Sequence, residues 1–318
     1  MLTLLRRTLA LVLILVGCWL PFAIGLATAE ALDPIFQLGE EFPFDEDTPI
    51  LEIFYLQTRR SDGIFLRCGD RTMLVDGGAR RDYTPLEKFL MAEVGELHIG
   101  TVLNTHEDND HMDAEIEFFK RGGTASEFLS PSPPNPKTRR YDELLPMLKK
   151  LDIPYVQVAH GEFWQLGGDA DGKEDGAHRL SSLADWQDGT ALLRAYCSRI
   201  NVWDINRSSL VLHVTFGDRT AILMADATGK TQRDFLVLDD IVLKADVLKA
   251  AHHGISPTVA PFLDAVDPKL GIITNTRKNG KPQREQFERR EIPALYTDEG
   301  TVYMATDGKI WYIRQDVE

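Results

Sequence analysis

His106, Asp108, Asp110 and His111 fall within one short stretch, "TVLNTHEDNDHMDAEIEFF", residues 101–119. Imidazole nitrogens and carboxylate oxygens are the donors that first-row divalent metals take from proteins. The H-x-D-x-D-H spacing puts His106, Asp108 and Asp110 on alternate positions of an extended turn. His111 then stands at the mouth of the helix that follows. Alone, such a stretch is equally well a polar turn, with Asp110 or Asp113 capping the helix. Three more polar clusters close apolar runs: Asp76-Gly77-Gly78 after "TMLV", Asp226 after "AILMA", and His252-His253-Gly254 after "DVLKAA". A metal centre needs side chains converging from separate elements, and four clusters in this order point to one.

The elements that would position them alternate in type. "LEIFYLQT" (51–58), "GIFLRCG" (63–69) and "RTMLVDGG" (71–78) read as strands. "TPLEKFLMAEV" (84–94) has helical spacing, "HIGTVLNT" (98–105) is a buried strand, and "MDAEIEFFKRG" (112–122) is a helix stopped by Gly122 and Gly123. "LSPSPPNPKTRR" (129–140) reads as a surface loop, "YDELLPMLKKL" (141–151) as a helix, "PYVQV" (154–158) as a strand, and "LGGDADGKEDGAH" (166–178) as a solvated acidic excursion. The second half repeats the style with strands "ALLRAYCS", "SSLVLHVTFG", "TAILMADA", "LGIITNT" and "TVYMATDGKIWYI", and helices "KTQRDFLVL" and "TVAPFLDAV". Strand ends are where α/β sheets place their ligands.

"THEDNDHMDA", "VDGG", "LMAD" and "LKAAHHG" resemble the metallo-β-lactamase superfamily, whose hallmark is T-H-x-H-x-D-H. The match is nearest to the hydrolase domain of the ComEC type, attached to DNA-uptake channels: "NRSSLVLH", "ILMAD" and "HHGIS" follow that branch's order. The resemblance covers residues 50–315. It implies an αββα sandwich of two mixed sheets flanked by helices, holding two divalent ions, Zn²⁺ or Mn²⁺. By this analogy metal one takes His106 and Asp108. Metal two takes Asp110, His111 and one of His252 and His253, and Asp226 bridges. The usual third histidine of metal one has no evident equivalent. Asn206, heading the strand before Asp226, fills that space directly or through water, with His160 and His178 as alternatives and His213 as a strand residue. Asp76 is a ligand or a support behind one. The chain departs from the pattern at Asp113-Ala114, at Met224-Ala225 and at Lys281, where the branch carries a histidine before proline.

The activity implied is hydrolysis of a phosphodiester or related ester by a metal-bridged hydroxide, with Asp110, Asp226 and His253 as the catalytic residues. A lactone or amide hydrolase, or a metal-stabilised binding module of the same fold, is the alternative. Asp108 in place of an imidazole makes the donor set richer in oxygen, which suits manganese. Lys281 and Arg284, in the basic "RKNGKPQR" (277–284), either grip a phosphate or form a solvated loop. Trp164, Trp186 and Trp203 either line a cleft or pack in the core.

With 318 residues, 43% of them hydrophobic, the chain can bury a large core. Its net charge of −14 argues against broad duplex nucleic-acid binding and leaves a small or phosphate-containing substrate open. No feature points to a protein partner. Residues 1–29 carry Arg6 and Arg7, then an apolar run, then "ATA" before Glu30, the pattern of an export signal cleaved after Ala29. The rivals are a retained membrane anchor and a lipid on Cys18. Residues 30–49 form a lead-in and 50–318 the hydrolase domain. Cys68 and Cys197 either pair or stay as buried thiols.

Overall fold

A computed structural model describes residues 32–39, 42–45, 47–131, 139–168, 175–197 and 204–315. The proposed export segment, Trp203, most of the proline-rich stretch and the middle of the acidic excursion lie outside them. In chain order the first part runs β1 (Phe36–Leu38), β2 (Leu51–Tyr55), β3 (Gly63–Cys68), β4 (Arg71–Gly77), α1 (Tyr83–Glu93), β5 (His98–Leu103), α2 (Asn109–Lys120), β6 (Thr124–Pro131), α3 (Arg140–Lys150) and β7 (Tyr155–Val158). The second runs β8 (Phe163–Leu166), β9 (His178–Arg179), β10 (Ala191–Tyr196), β11 (Val211–Phe216), β12 (Arg219–Leu223), α4 (Gly229–Phe235), β13 (Val247–Lys249), α5 (Ala260–Val266), β14 (Leu270–Ile273), α6 (Lys281–Glu288) and β15 (Ala294–Tyr296), and closes on β16 (Val302–Thr306) and β17 (Trp311–Gln315).

These strands form two mixed sheets, in the order β1-β17-β16-β2-β3-β4-β5-β6-β7 and β15-β14-β13-β12-β11-β10-β8-β9. Three apolar clusters define the layers. Alternate residues such as Ile53, Tyr55, Ile64, Leu66, Leu212 and Leu223 pack between the sheets. Phe54, Phe65 and Leu74 face the other way, onto Leu86, Met112 and Leu144 of α1 to α3. Ile222 and Leu248 face Phe235, Phe262 and Phe287 of α4 to α6. The architecture is the expected αββα sandwich. Strands buried on both faces lose the polar alternation of a half-exposed strand, which is why they read as unbroken apolar runs.

The sequence reading differs from the structure in several elements. β6 continues to Pro131, inside the stretch read as a loop. β8 and β15 add strands that the sequence pattern does not announce; both are short. The lead-in contributes β1, paired parallel with β17. The basic stretch read as a solvated loop is in part α6, with Pro282 in its first turn, where a missing N–H costs nothing, and Phe287 anchored in the core. Cys68 and Cys197 are both buried thiols.

α2 sits close against the end of β4. Gly78 N donates to His111 O (3.1 Å), and Ala114 N donates to Gly78 O (3.1 Å). A Cβ on Gly77 would stand 2.9 Å from both the backbone nitrogen and the Cγ of Glu115. The glycine lets the helix that carries His111 approach the strand that carries Asp76. Gly77→Ala is expected to cost about 1–3 kcal/mol through overpacking, seen as a lower urea midpoint at unchanged slope. A variant as stable as the parent would mean that α2 moves aside freely.

Candidate metal centre

The site lies at the C-terminal ends of β4, β5, β12 and β13, and four of its residues or their neighbours have left-handed backbones: Asp76 (φ 58°), Ala225 (φ 44°), His252 (φ 51°) and His253 (φ 51°). Non-glycine residues avoid this region, and such conformations gather at functional sites. Here the consequence is geometric. The two successive left-handed residues turn both His252 and His253 toward one carboxylate, Asp226.

Asp226 is fully buried, and four imidazoles converge on it in two pairs. Its Oδ1 lies 3.1 Å from His111 Nε2 and 3.5 Å from His253 Nε2. Its Oδ2 lies 3.6 Å from His252 Nε2 and 3.8 Å from His106 Nε2. Asp110 joins the first pair, with Oδ2 3.5 Å from His253 Nε2. His252 is about one-third exposed and opens the cluster to solvent.

Behind the imidazoles a second set of groups fixes their orientation. His111 Nδ1 meets Asp76 Oδ2 at 2.7 Å, and Asp76 also accepts from Thr105 N (2.7 Å) and Thr105 Oγ1 (2.7 Å). Thr105 Oγ1 spends its proton on Asp76, so it accepts from His106 Nδ1 at 3.1 Å. His253 Nδ1 meets Asp62 Oδ1 and Thr274 Oγ1, each at 3.1 Å. With Nδ1 donating, each ring turns Nε2 toward the centre, where the neutral imidazole offers a lone pair. Asp76 thus stands behind His111, on its Nδ1 side.

Burial and charge set the protonation of the metal-free cluster. Burial, helped by charge on His111, pushes His106 down to about 3. Burial also opposes charge on His111, but Asp226 and Asp76 outweigh it and raise its pKa well above 6.5. His253 is raised likewise by Asp226 and Asp62 against burial. The Asp226 carboxyl is held well below its ordinary range despite burial, by His253 and His111. Protons on two imidazoles therefore stand where a cation would offset the carboxylates. Even so, His106 Nε2, His111 Nε2, His253 Nε2 and Asp226 Oδ1 are buried without a hydrogen-bond partner. Orphaned donor atoms converging in this way fit a divalent metal.

A raised histidine pKa stabilises the metal-free fold fully below 6.5 and loses that contribution as pH climbs through the folded value. Metal must displace the same protons. Above about pH 6.5, the metal-free protein is therefore expected to lose stability as pH rises, while the rise in Tm on adding Zn²⁺ grows. A metal-induced rise that is flat across this range would contradict the assignment of His111 and His253.

Asp108 stands at the mouth, half-buried, as the N-cap of α2 and accepts from Asn109 N at 2.8 Å. Asn206 is half-buried in a 3-10 turn, Asn206–Ser208. The position opposite His106 is faced by His252 instead. Lys281 and Arg284 form ion pairs one turn along α6, with Glu285 at 3.4 Å and Glu288 at 3.5 Å. His160 Nδ1 bonds Cys197 O (2.8 Å), His213 Nε2 bonds Lys244 O (2.9 Å), and His178 lies in β9. Trp164 packs between the sheets, and Trp186 donates to Thr190 O.

Sequence reasoning misses Asp62, Lys249 and Thr274. Ligand-capable atoms of Asp62, His111, Asp226 and His253 lie within 4.8 Å of one another. Asp62 nevertheless sits behind His253, its oxygens engaged by Lys249, Thr274 and His253 Nδ1. The signal available is Lys249 itself, a charge inside the apolar run "DVLKAA".

Compared by sequence, the chain matches no protein-family model and no curated protein. Solved structures similar to it include the metallo-β-lactamase fold protein YhfI from Bacillus subtilis, 12% identical over 84% of this chain and 100% of that one, with a TM-score of 0.44. A metallo-β-lactamase from Cronobacter sakazakii is 13% identical over 75% and 90%, with a TM-score of 0.42. CmlA, a diiron β-hydroxylase from Streptomyces venezuelae, is 15% identical over 82% of this chain, with a TM-score of 0.47. The chain spans 54% of that enzyme's length. These likenesses are of fold.

Proposed function

We propose that the chain is a dinuclear metal-dependent hydrolase acting on a phosphodiester or related ester. One observation carries this reading: four imidazole Nε2 atoms face the two oxygens of one buried carboxylate, two to each oxygen. His106, His252 and Asp226 Oδ2 would hold one ion, with Asp108 at the mouth. Asp110, His111, His253 and Asp226 Oδ1 would hold the other. When bound, such ions lower the pKa of water to about 7 and offset the charge of the reacting oxygens. The chain's own part is to fix the rings through Asp76, Thr105 and Asp62, and to admit substrate on the side of His252. Asp110, half-buried beside His253, is placed to accept a proton from the attacking water.

Metal analysis of the purified protein, paired with a panel of phosphodiesters, lactones and carboxylic esters, tests this. About two ions per chain and metal-dependent phosphodiester turnover are expected. Metal without turnover on any ester would turn the reading to a binding module. We also propose cleavage after Ala29 on export; an intact Met1 in secreted material would refute it. Among the described residues no helix is long and apolar enough to cross a membrane.

Asp108→His exchanges an oxygen donor for a nitrogen donor and removes the N-cap of α2. The ratio of zinc to manganese affinity should rise, and the metal-free fold should lose about 1 kcal/mol. Competitive metal titration and denaturant melts read the two effects separately. An unchanged ratio would place Asp108 outside the donor set.

A further inference from the structure

Lys249 is 0% exposed in the middle of the molecule. Lysine is almost never fully buried unless paired, and here the pairing is specific. Its ammonium forms a short ion pair with Asp62 Oδ2 and donates to Ala225 O at 3.2 Å. Ala225 is the left-handed residue that presents Asp226. The other oxygen of Asp62 accepts from Thr274 Oγ1 (2.6 Å) and stands 3.1 Å from His253 Nδ1. One buried chain of contacts therefore runs from the turn before Asp226, through Lys249 and Asp62, to the far side of His253. The carboxylate behind His111 is held differently: Asp76 rests on a backbone amide, a hydroxyl and the Asn104 amide (3.4 Å).

We propose that Lys249 and Asp62 are positioning residues for one half of the metal centre. Lys249 pins Asp62 behind His253, so that Asp62 orients the ring and does not itself become a donor. This rests on the dinuclear reading above. Two features make it more than a buried ion pair. Asp62 is close enough to the cluster to compete for a cation, with ligand-capable atoms within 4.8 Å of His111, Asp226 and His253. And the lysine ties Asp62 to the backbone of Ala225, fixing His253 and Asp226 relative to each other. A carboxylate behind a ligating histidine typically accounts for about 10–100-fold in metal affinity.

The test is a Co²⁺ and Zn²⁺ titration of the parent and of K249M, D62N/K249M and T274V. The Co²⁺ absorption spectrum and the metal-free Tm are recorded for each. In K249M and D62N/K249M one of the two ions should bind about 10–100-fold more weakly, with a changed Co²⁺ spectrum, while the other keeps its affinity. D62N/K249M leaves no unpaired charge, so its metal-free Tm should stay near the parent's, separating positioning from folding. T274V removes one hydroxyl without altering charge and should shift the same ion in the same direction, by less. If K249M does not fold, the other two variants decide. Parental affinity for both ions in D62N/K249M, or in T274V, would overturn the positioning role. A parent that binds no metal would instead overturn the dinuclear reading.

Discussion

Asp226→Asn is expected to cut metal-dependent turnover severely while leaving the fold intact. The amide keeps the shape of the carboxylate but removes the one negative charge that all four imidazoles face. It also places an N–H donor against ring nitrogens whose lone pairs point inward. Charge stabilisation by bound metal is worth several kcal/mol in the transition state, so turnover should fall on the order of 10³-fold. The metal-free variant should remain folded but melt below the parent, because it loses the part of the histidine pKa elevation that Asp226 supplies to the metal-free fold. His111 and His253 should lose the elevation of their pKa values that Asp226 supplies, which proton NMR of the imidazoles can follow. Parental turnover in Asp226→Asn would remove the metal centre from the mechanism.

Chelation should act on both activity and stability. An ion present at a hundred times its dissociation constant stabilises the native state by about 2.7 kcal/mol. Two such ions, in a chain of this size, correspond to a Tm difference of roughly 10 °C or more. The three apolar clusters exclude the site, so the chelated protein should remain folded, with hydrolysis lost and restored by adding back Zn²⁺ or Mn²⁺. Calorimetry with and without chelator measures the shift. Equal melting curves, with activity retained, would contradict the proposal.

Much of the site is legible in the sequence because its residues end apolar runs. His106, Asp110, His111, Asp226 and the histidine pair all follow closely on a buried strand, where a polar side chain is costly unless something pairs with it. The division of labour is not legible. Whether His252 or His253 faces Asp226 depends on backbone handedness, which residue type does not announce, and the answer is both. Chain order points upstream, to Asn206, for the third group beside His106, whereas a left-handed turn brings His252 there from downstream. Asp62 stays hidden because "RRSDG" looks like any turn, and its role exists only through residues of the second sheet. α6 reads as a loop because its charges mask three buried positions, Gln283, Gln286 and Phe287.

Asp62 also says something about the order in which the molecule comes together. It touches Lys249, His253 and Thr274 at sequence separations of 187, 191 and 212. Closing loops of that length yields nothing until both sheets exist and have met. Half a cluster offers half a donor set, so metal should enter only after the halves have docked. Refolding of the metal-free chain should then proceed at a rate indifferent to added zinc. Unfolding should slow in proportion to how tightly the ions are held, because the contacts they reinforce are absent from the transition state. Bound metal would make the folded molecule slow to come apart without making it any quicker to form.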